Sequence, residues 1–154
     1  MSNPSQQSLS FHAGKKALLY CDGASSGNPG YSGIGAVLDL DGQRVTISEF
    51  IGEATNNIAE YSALIRGVEE ALGRGACEIE IRADSELIVR QLTGQYRVKQ
   101  PHLQALHRKA LSLLKQFSSY TIAHIPREDN SEADRLARQA VRSGKKPGHP
   151  SPHR

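Results

Sequence analysis

Apolar residues in this chain recur at two spacings, and the changes of spacing mark out its elements. Alternation or a short branched run reads as strand; recurrence at three and four residues reads as helix. KKALLYCD is a predicted strand ending at Asp22, and SSGNPG after it is a turn. GIGAVLDL and RVTISEFI form a predicted hairpin about Asp41-Gly42, a pair suited to a tight turn. TNNIAEYSALIRGVEEALGRG is a predicted helix, because Ile58, Tyr61, Leu64, Ile65, Val68, Ala71 and Leu72 fall on one stripe. It should stop at Gly73 or Gly75, residues suited to the left-handed position past a helix end. CEIEIRAD is a strand with Ile79 and Ile81 on one face and Glu80 and Arg82 on the other. SELIVRQL is a short helix ending near Gly94. PHLQALHRKALSLLKQF is a longer one, opened by Pro101. YTIAHIP is a strand closed by Pro126, with His124 in its middle, and SEADRLARQAVR is a last helix with Ser131 as its N-cap.

The predicted order is β-β-β-α-β-α-α-β-α. A hairpin followed by strand–helix alternation argues for an α/β fold, a mixed sheet with helices against its faces. The spatial order of the strands does not follow from this pattern. Residues 1–14 are rich in Ser, Gln, Asn and Gly, and residues 143–154 carry Gly, Pro and charge without an apolar anchor. Both ends are expected to be disordered, leaving 15–142 as one domain.

Charge refines this picture. The net charge is +3. Residues 142–154 hold Arg142, Lys145, Lys146 and Arg154 and no acid, and residues 1–16 add Lys15 and Lys16. The interior is therefore mildly acidic, and the basic surplus alone says little about nucleic acid. No apolar run is long enough to span a bilayer, and the N-terminus lacks the apolar core of a secretory signal. Cys21 and Cys77 have no metal-ligand spacing and read as small apolar residues in a reducing compartment, so a cytoplasmic protein is expected.

Four acids change the picture most. Asp22 lies in CDGASSGNPG, Glu60 in TNNIAEY, Asp84 in IRADSE and Asp134 in NSEADRLA. Each stands at a predicted strand end or in the first turns of a predicted helix, where a fold can bring distant residues together. If the first and fourth strands are neighbours, Asp22 and Asp84 meet at one sheet edge. Taken singly, each acid has an ordinary structural role: a turn former before Gly23, a helix-flank acid, a cap before Ser85, or a partner of the last helix's dipole. Clustered carboxylates repel one another unless hard cations neutralise them. A cluster therefore implies Mg²⁺ or Mn²⁺, and a pair of ions implies phosphoryl transfer.

The strings YCDGASSGNPGYSGIGAV, TNNIAEYSALIRGVEEAL, ADSELIVRQLTGQYRVK and IPREDNSEADRLA closely resemble the type 1 ribonuclease H family, in motif order across most of 17–140. The resemblance implies a ribonuclease H-like fold, with a five-stranded mixed sheet flanked by helices. It implies cleavage of the RNA strand of an RNA–DNA hybrid by a monomer with two Mg²⁺ ions, Mn²⁺ being a possible substitute. Asp22, Glu60, Asp84 and Asp134 match the family's metal-binding carboxylates, with Asp22 bridging both ions. Asn28, Asn56 and Asn57 match positions that read the hybrid's minor groove, and Thr55 a contact to a DNA-strand phosphate.

The chain also departs from the family's best-known pattern. The loop IPREDNSEA lacks the histidine that many members carry before the last acid; Arg127 and Glu128 are its nearest substitutes. Only TGQYRVKQ lies where some members insert a basic protrusion, and the compact IPRE-x-N loop resembles a shorter branch of the family without it. Glu53 sits where a basic side chain would help hold a phosphate. Two other functions stay open on this reading: a catalytically silent hybrid-binding module, and a nuclease of the same fold acting on another duplex.

Overall fold

The computed structural model describes residues 15–144. Its sheet begins with three antiparallel strands: β1 (Lys16–Ser25), β2 (Gly30–Leu40) and β3 (Gln43–Ala54). Asp41 and Gly42 both have positive φ, 51° and 80°, which gives the β2–β3 hairpin the tight turn read from its sequence. Helix α1 (Asn56–Gly73) crosses back to β4 (Glu78–Ala83). Helices α2 (Glu86–Leu92) and α3 (Pro101–Leu114) lead to β5 (Ser119–His124). A 3₁₀ turn, Arg127–Asn130, then runs into α4 (Ser131–Gly144).

The strand order is β3-β2-β1-β4-β5, with β4 parallel to β1 and β5 parallel to β4. Neighbouring β1 and β4 meet the condition set above for Asp22 and Asp84 to share an edge. Helix α1 packs on the face of β1 that carries Ala17, Leu19 and Cys21, where Gly67 leaves room for Leu19. Helix α4 packs on the opposite face, against β1, β2 and β3. A Cβ at Gly33 would lie 2.6 Å from the Ala137 carbonyl oxygen, and one at Gly35 would lie 2.5 Å from the Ala137 amide nitrogen. Those glycines let α4 seat directly on the backbone of β2. The sheet is five-stranded, mixed and flanked by helices.

Several local expectations change. β1 continues three residues past Asp22, to Ser25, because β2 pairs with it to Ser32. Ser131 is not an N-cap: its backbone is already helical (φ −65°, ψ −33°), since the 3₁₀ turn feeds the helix without a break. His124 closes β5 instead of lying inside it, and it is exposed on this edge strand. Ser143 and Gly144 continue α4 beyond the expected end at Arg142. The remainder of the expected disordered ends, 1–14 and 145–154, lies outside the described residues. Among the described residues no helix is long and apolar enough to cross a membrane.

Candidate active site

Asp22 enters the site from β1, where it pairs with Gly35 of β2; its neighbour Cys21 pairs with Ala83 at the end of β4. Asp84 follows Ala83 directly, so two parallel strands deliver two carboxylates side by side. Glu60 comes from the second turn of α1. That helix starts where it does because Thr55 caps it, its Oγ1 accepting from the Ile58 N–H at 3.2 Å. Gly23 brings helix and strand together. A Cβ there would lie 2.6 Å from the Glu60 amide nitrogen, so a larger residue would push α1 away from β1. The Gly23 N–H points between the two acids, 3.0 Å from Asp22 Oδ1 and 3.3 Å from Glu60 Oε1.

Asp22, Glu60 and Asp84 each present a carboxylate oxygen within 4.8 Å of the others. Asp22 is only 5% exposed and the Asp84 side chain 7%. Burial, then the charges of Glu60, Asp84 and Asp134, push the Asp22 carboxyl up to about 9. Burial and Asp84 push Glu60 up to about 7 against the opposing Gly23 N–H, Asp22 and Arg127. The Cys21 thiol behind them is raised by burial and then by the same acids, so it stays protonated and inert. Without a cation, burial and the neighbouring charges favour a proton on Asp22.

Asp134 stands at the rim. Its carboxyl lies within hydrogen-bonding reach of Asp22, while Oδ2 pairs with Arg138 one turn on, at 2.9 Å. Arg127 reaches over Asp84 from the 3₁₀ turn, with Nε 3.6 Å from Oδ2. The four acids of the sequence reading thus converge on one sheet edge, three tightly and the fourth beside them. Gly23, Asn130 and Arg138 were not singled out from sequence. Asn130 donates from Nδ2 to Asp84 Oδ1 and to the Cys21 carbonyl, each at 2.9 Å. The adjacency of Gly23 to Asp22 was a usable signal, whereas Asn130 was visible only as the last residue of the compact IPRE-x-N loop.

The asparagines form a second group nearby. Asn28 Oδ1 accepts from the Asn56 N–H at 3.0 Å, which ties the β1–β2 turn to the start of α1. Asn28 and Asn56 are exposed, and Asn57 and Thr55 are half-buried. Two clefts of about 210 Å³ adjoin the site, one lined by Tyr20, Asp39, Arg44 and Asn130 and one by Ser26, Arg138 and Arg142; the acids of the triad line neither.

Comparison with known proteins agrees with this architecture. A family model described as reverse transcriptase-like matches residues 20–140. A bifunctional protein of Mycobacterium tuberculosis is 41% identical over 129 residues, covering 82% of this chain and 35% of the relative. Ribonuclease HI of Halobacterium salinarum is 43% identical over 131 residues, covering 83% of this chain and 65% of the relative. The chain therefore spans about a third of the first relative and 65% of the second. The crystal structure of the Halobacterium protein superposes with a TM-score of 0.80, covering 98% of that chain. LC11-RNase H1, isolated from compost, was solved in complex with an RNA/DNA hybrid; it is 38% identical with a TM-score of 0.77, over 84% of this chain and 99% of its own. With the sheet order, the acid triad and these matches in agreement, the chain belongs to the type 1 ribonuclease H family.

Proposed function

We propose that this chain is an endoribonuclease that hydrolyses the RNA strand of an RNA–DNA hybrid. The observation that carries the proposal is the triad of Asp22, Glu60 and Asp84, three oxygens within 4.8 Å at an edge formed by two strands and a helix. All-oxygen donors suit a hard cation, and buried acids with raised proton affinity mark a place where positive charge is wanted. The residues therefore fit Mg²⁺, with Mn²⁺ a possible substitute. Asp22 is the most central acid and is assigned to bridge two ions. Glu60, Asp84 and Asp134 complete the set. When bound, such ions supply an activated water and charge neutralisation at the leaving oxygen, which leads to 5′-phosphate and 3′-hydroxyl ends.

The chain's own residues do the placing. Gly23 N–H orients the Asp22 and Glu60 carboxylates toward each other, and Arg138 holds Asp134 at the rim. Asn28 uses its oxygen on the Asn56 N–H, which leaves its NH₂ to donate to a sugar or base edge. Thr55 Oγ1 accepts from Ile58, which leaves its O–H to donate to a phosphate oxygen. Asn56 and Asn57 flank it and are assigned to the minor groove of the hybrid. The LC11 complex with an RNA/DNA hybrid supports this choice of substrate. We assign the chain to the cytoplasm as a monomer.

Matched RNA–DNA, RNA–RNA and DNA–DNA duplexes incubated with Mg²⁺ test the assignment. Cleavage restricted to the RNA strand of the hybrid is expected. Binding of hybrid without cleavage would make the chain a silent module, and cleavage of DNA–DNA alone would make it a nuclease of another specificity.

A further inference from the structure

Asn130 is 1% exposed, yet it is polar and belongs to none of the predicted catalytic or substrate-binding positions. It ends the 3₁₀ turn that leads into α4. Both hydrogens of its amide are used: Nδ2 donates to Asp84 Oδ1 and to the carbonyl of Cys21, each at 2.9 Å. Its own Oδ1 is buried and accepts nothing among the described residues. A buried carbonyl without a donor is unfavourable, and an apolar side chain of similar volume would avoid that defect. The NH₂ supplies two hydrogen bonds that apolar packing cannot.

Its two acceptors show what those bonds join. Asp84 Oδ1 belongs to an acid of the triad, and the Cys21 carbonyl is the peptide group immediately before Asp22. Four residues after Asn130 comes Asp134. One amide therefore joins the start of α4, the end of β4 and the middle of β1, the three elements that carry Asp84, Asp22 and Asp134. A donor fixed on Asp84 Oδ1 also sets the rotation of that carboxylate. Arg127, at 3.6 Å from Oδ2 and 85% exposed, is too loosely placed to do so.

We propose that Asn130 is a positioning residue that holds the Asp84 carboxylate, and the spacing of the acids around it, in the arrangement that binds a divalent cation. This rests on the reading of the acids as a cation site. Asn130 acts through Asp84 and touches neither ion nor substrate.

The test is Mn²⁺ binding by the full chain without nucleic acid, read from the free-ion signal in electron paramagnetic resonance. Asn130→Ala removes the donor, and Asn130→Leu fills the same space without one. Thermal unfolding in EDTA is followed in parallel, so that binding is compared only where each variant is folded. The expected result is a dissociation constant raised at least about tenfold in both variants, in line with the loss seen when groups supporting metal ligands are removed. The Mg²⁺ concentration for half-maximal hybrid cleavage should rise in step. A folded Asn130→Leu that binds Mn²⁺ within twofold of wild type would overturn the proposal and leave Asn130 as a packing residue. Failure of both variants to fold would overturn it as well. Absence of saturable Mn²⁺ binding by the wild-type chain would instead sink the reading of the acids themselves.

Discussion

Replacing Asp22 by Asn should stabilise the metal-free protein while abolishing its activity. The Asp22 carboxyl titrates near 3.8 in an ordinary setting and is pushed up to about 9 in the folded chain. The folded state therefore holds a proton that the unfolded chain releases. That contribution is complete below 3.8 and is lost as pH climbs toward about 9. At about pH 7 the nominal loss is roughly 4 kcal/mol. Glu60, raised to about 7, draws on the same protons, so the two acids do not contribute independently. A domain has only ~5–15 kcal/mol of stability in all, which makes the nominal value an upper bound. Relaxation at an effective dielectric of ~20 softens both the burial penalty, which is the larger cause, and the repulsion, and about 2 kcal/mol is a reasonable working figure. Asparagine keeps the shape and the 3.0 Å bond from the Gly23 N–H, and it removes the charge. Asp22→Asn should then melt roughly 5–8 °C above wild type in EDTA at about pH 8, with the gap closing at about pH 4. Mg²⁺ should raise the wild-type Tm and leave that of the variant nearly in place. Circular-dichroism melts across pH, with and without Mg²⁺, measure all of this. A variant that melts at or below wild type throughout would refute the argument from buried, repelling charge. Measurable hybrid cleavage by Asp22→Asn at saturating Mg²⁺ would refute the catalytic assignment.

Other expectations follow from the same geometry. Gly23→Ala drives a methyl into the backbone at Ala59 and Glu60, and should cost about 1–3 kcal/mol in thermal or denaturant unfolding. It should also raise the Mg²⁺ requirement; an unchanged melting curve would mean that α1 is free to shift. His124→Ala, at an exposed strand end, should change stability by less than about 0.5 kcal/mol. Arg127→Ala should lower turnover several-fold, because it removes the cation beside Asp84; steady-state cleavage of both variants checks the contrast. Truncation after Gly144 removes Lys145, Lys146 and Arg154. It should flatten the log-affinity against log-salt plot by up to about three increments of roughly 0.9 while sparing turnover. Superimposable salt plots would leave those cations without a role in binding.

The elements of the fold were legible where local chemistry decides them. Asp41-Gly42 announced its turn, the stripe from Ile58 to Leu72 announced α1, and Ile79 and Ile81 announced the buried face of β4. The acids were legible as a set because each lies next to an element end. What was not legible depends on tertiary contact. Ser131 looks like a cap by composition, but a preceding 3₁₀ turn has already set its backbone. His124 looked interior because YTIAHIP is continuous, although β5 is an edge strand with little packed over it. Asn130 lies in a short polar loop, and only the approach of β1 and β4 gives its amide two acceptors.

The order of these parts along the chain has a consequence for synthesis. Asp22, Glu60 and Asp84 come from β1, α1 and β4, whereas Asn130 and Asp134 arrive only with the start of α4. A ribosome releases the first three acids well before their clamp. Until α4 docks on Gly33 and Gly35, the nascent chain has acids that repel and no amide to set them. On the reading proposed above, the cation site is therefore complete only once the last helix closes the fold. Chain order thus places the assembly of the acid cluster at the very end of synthesis.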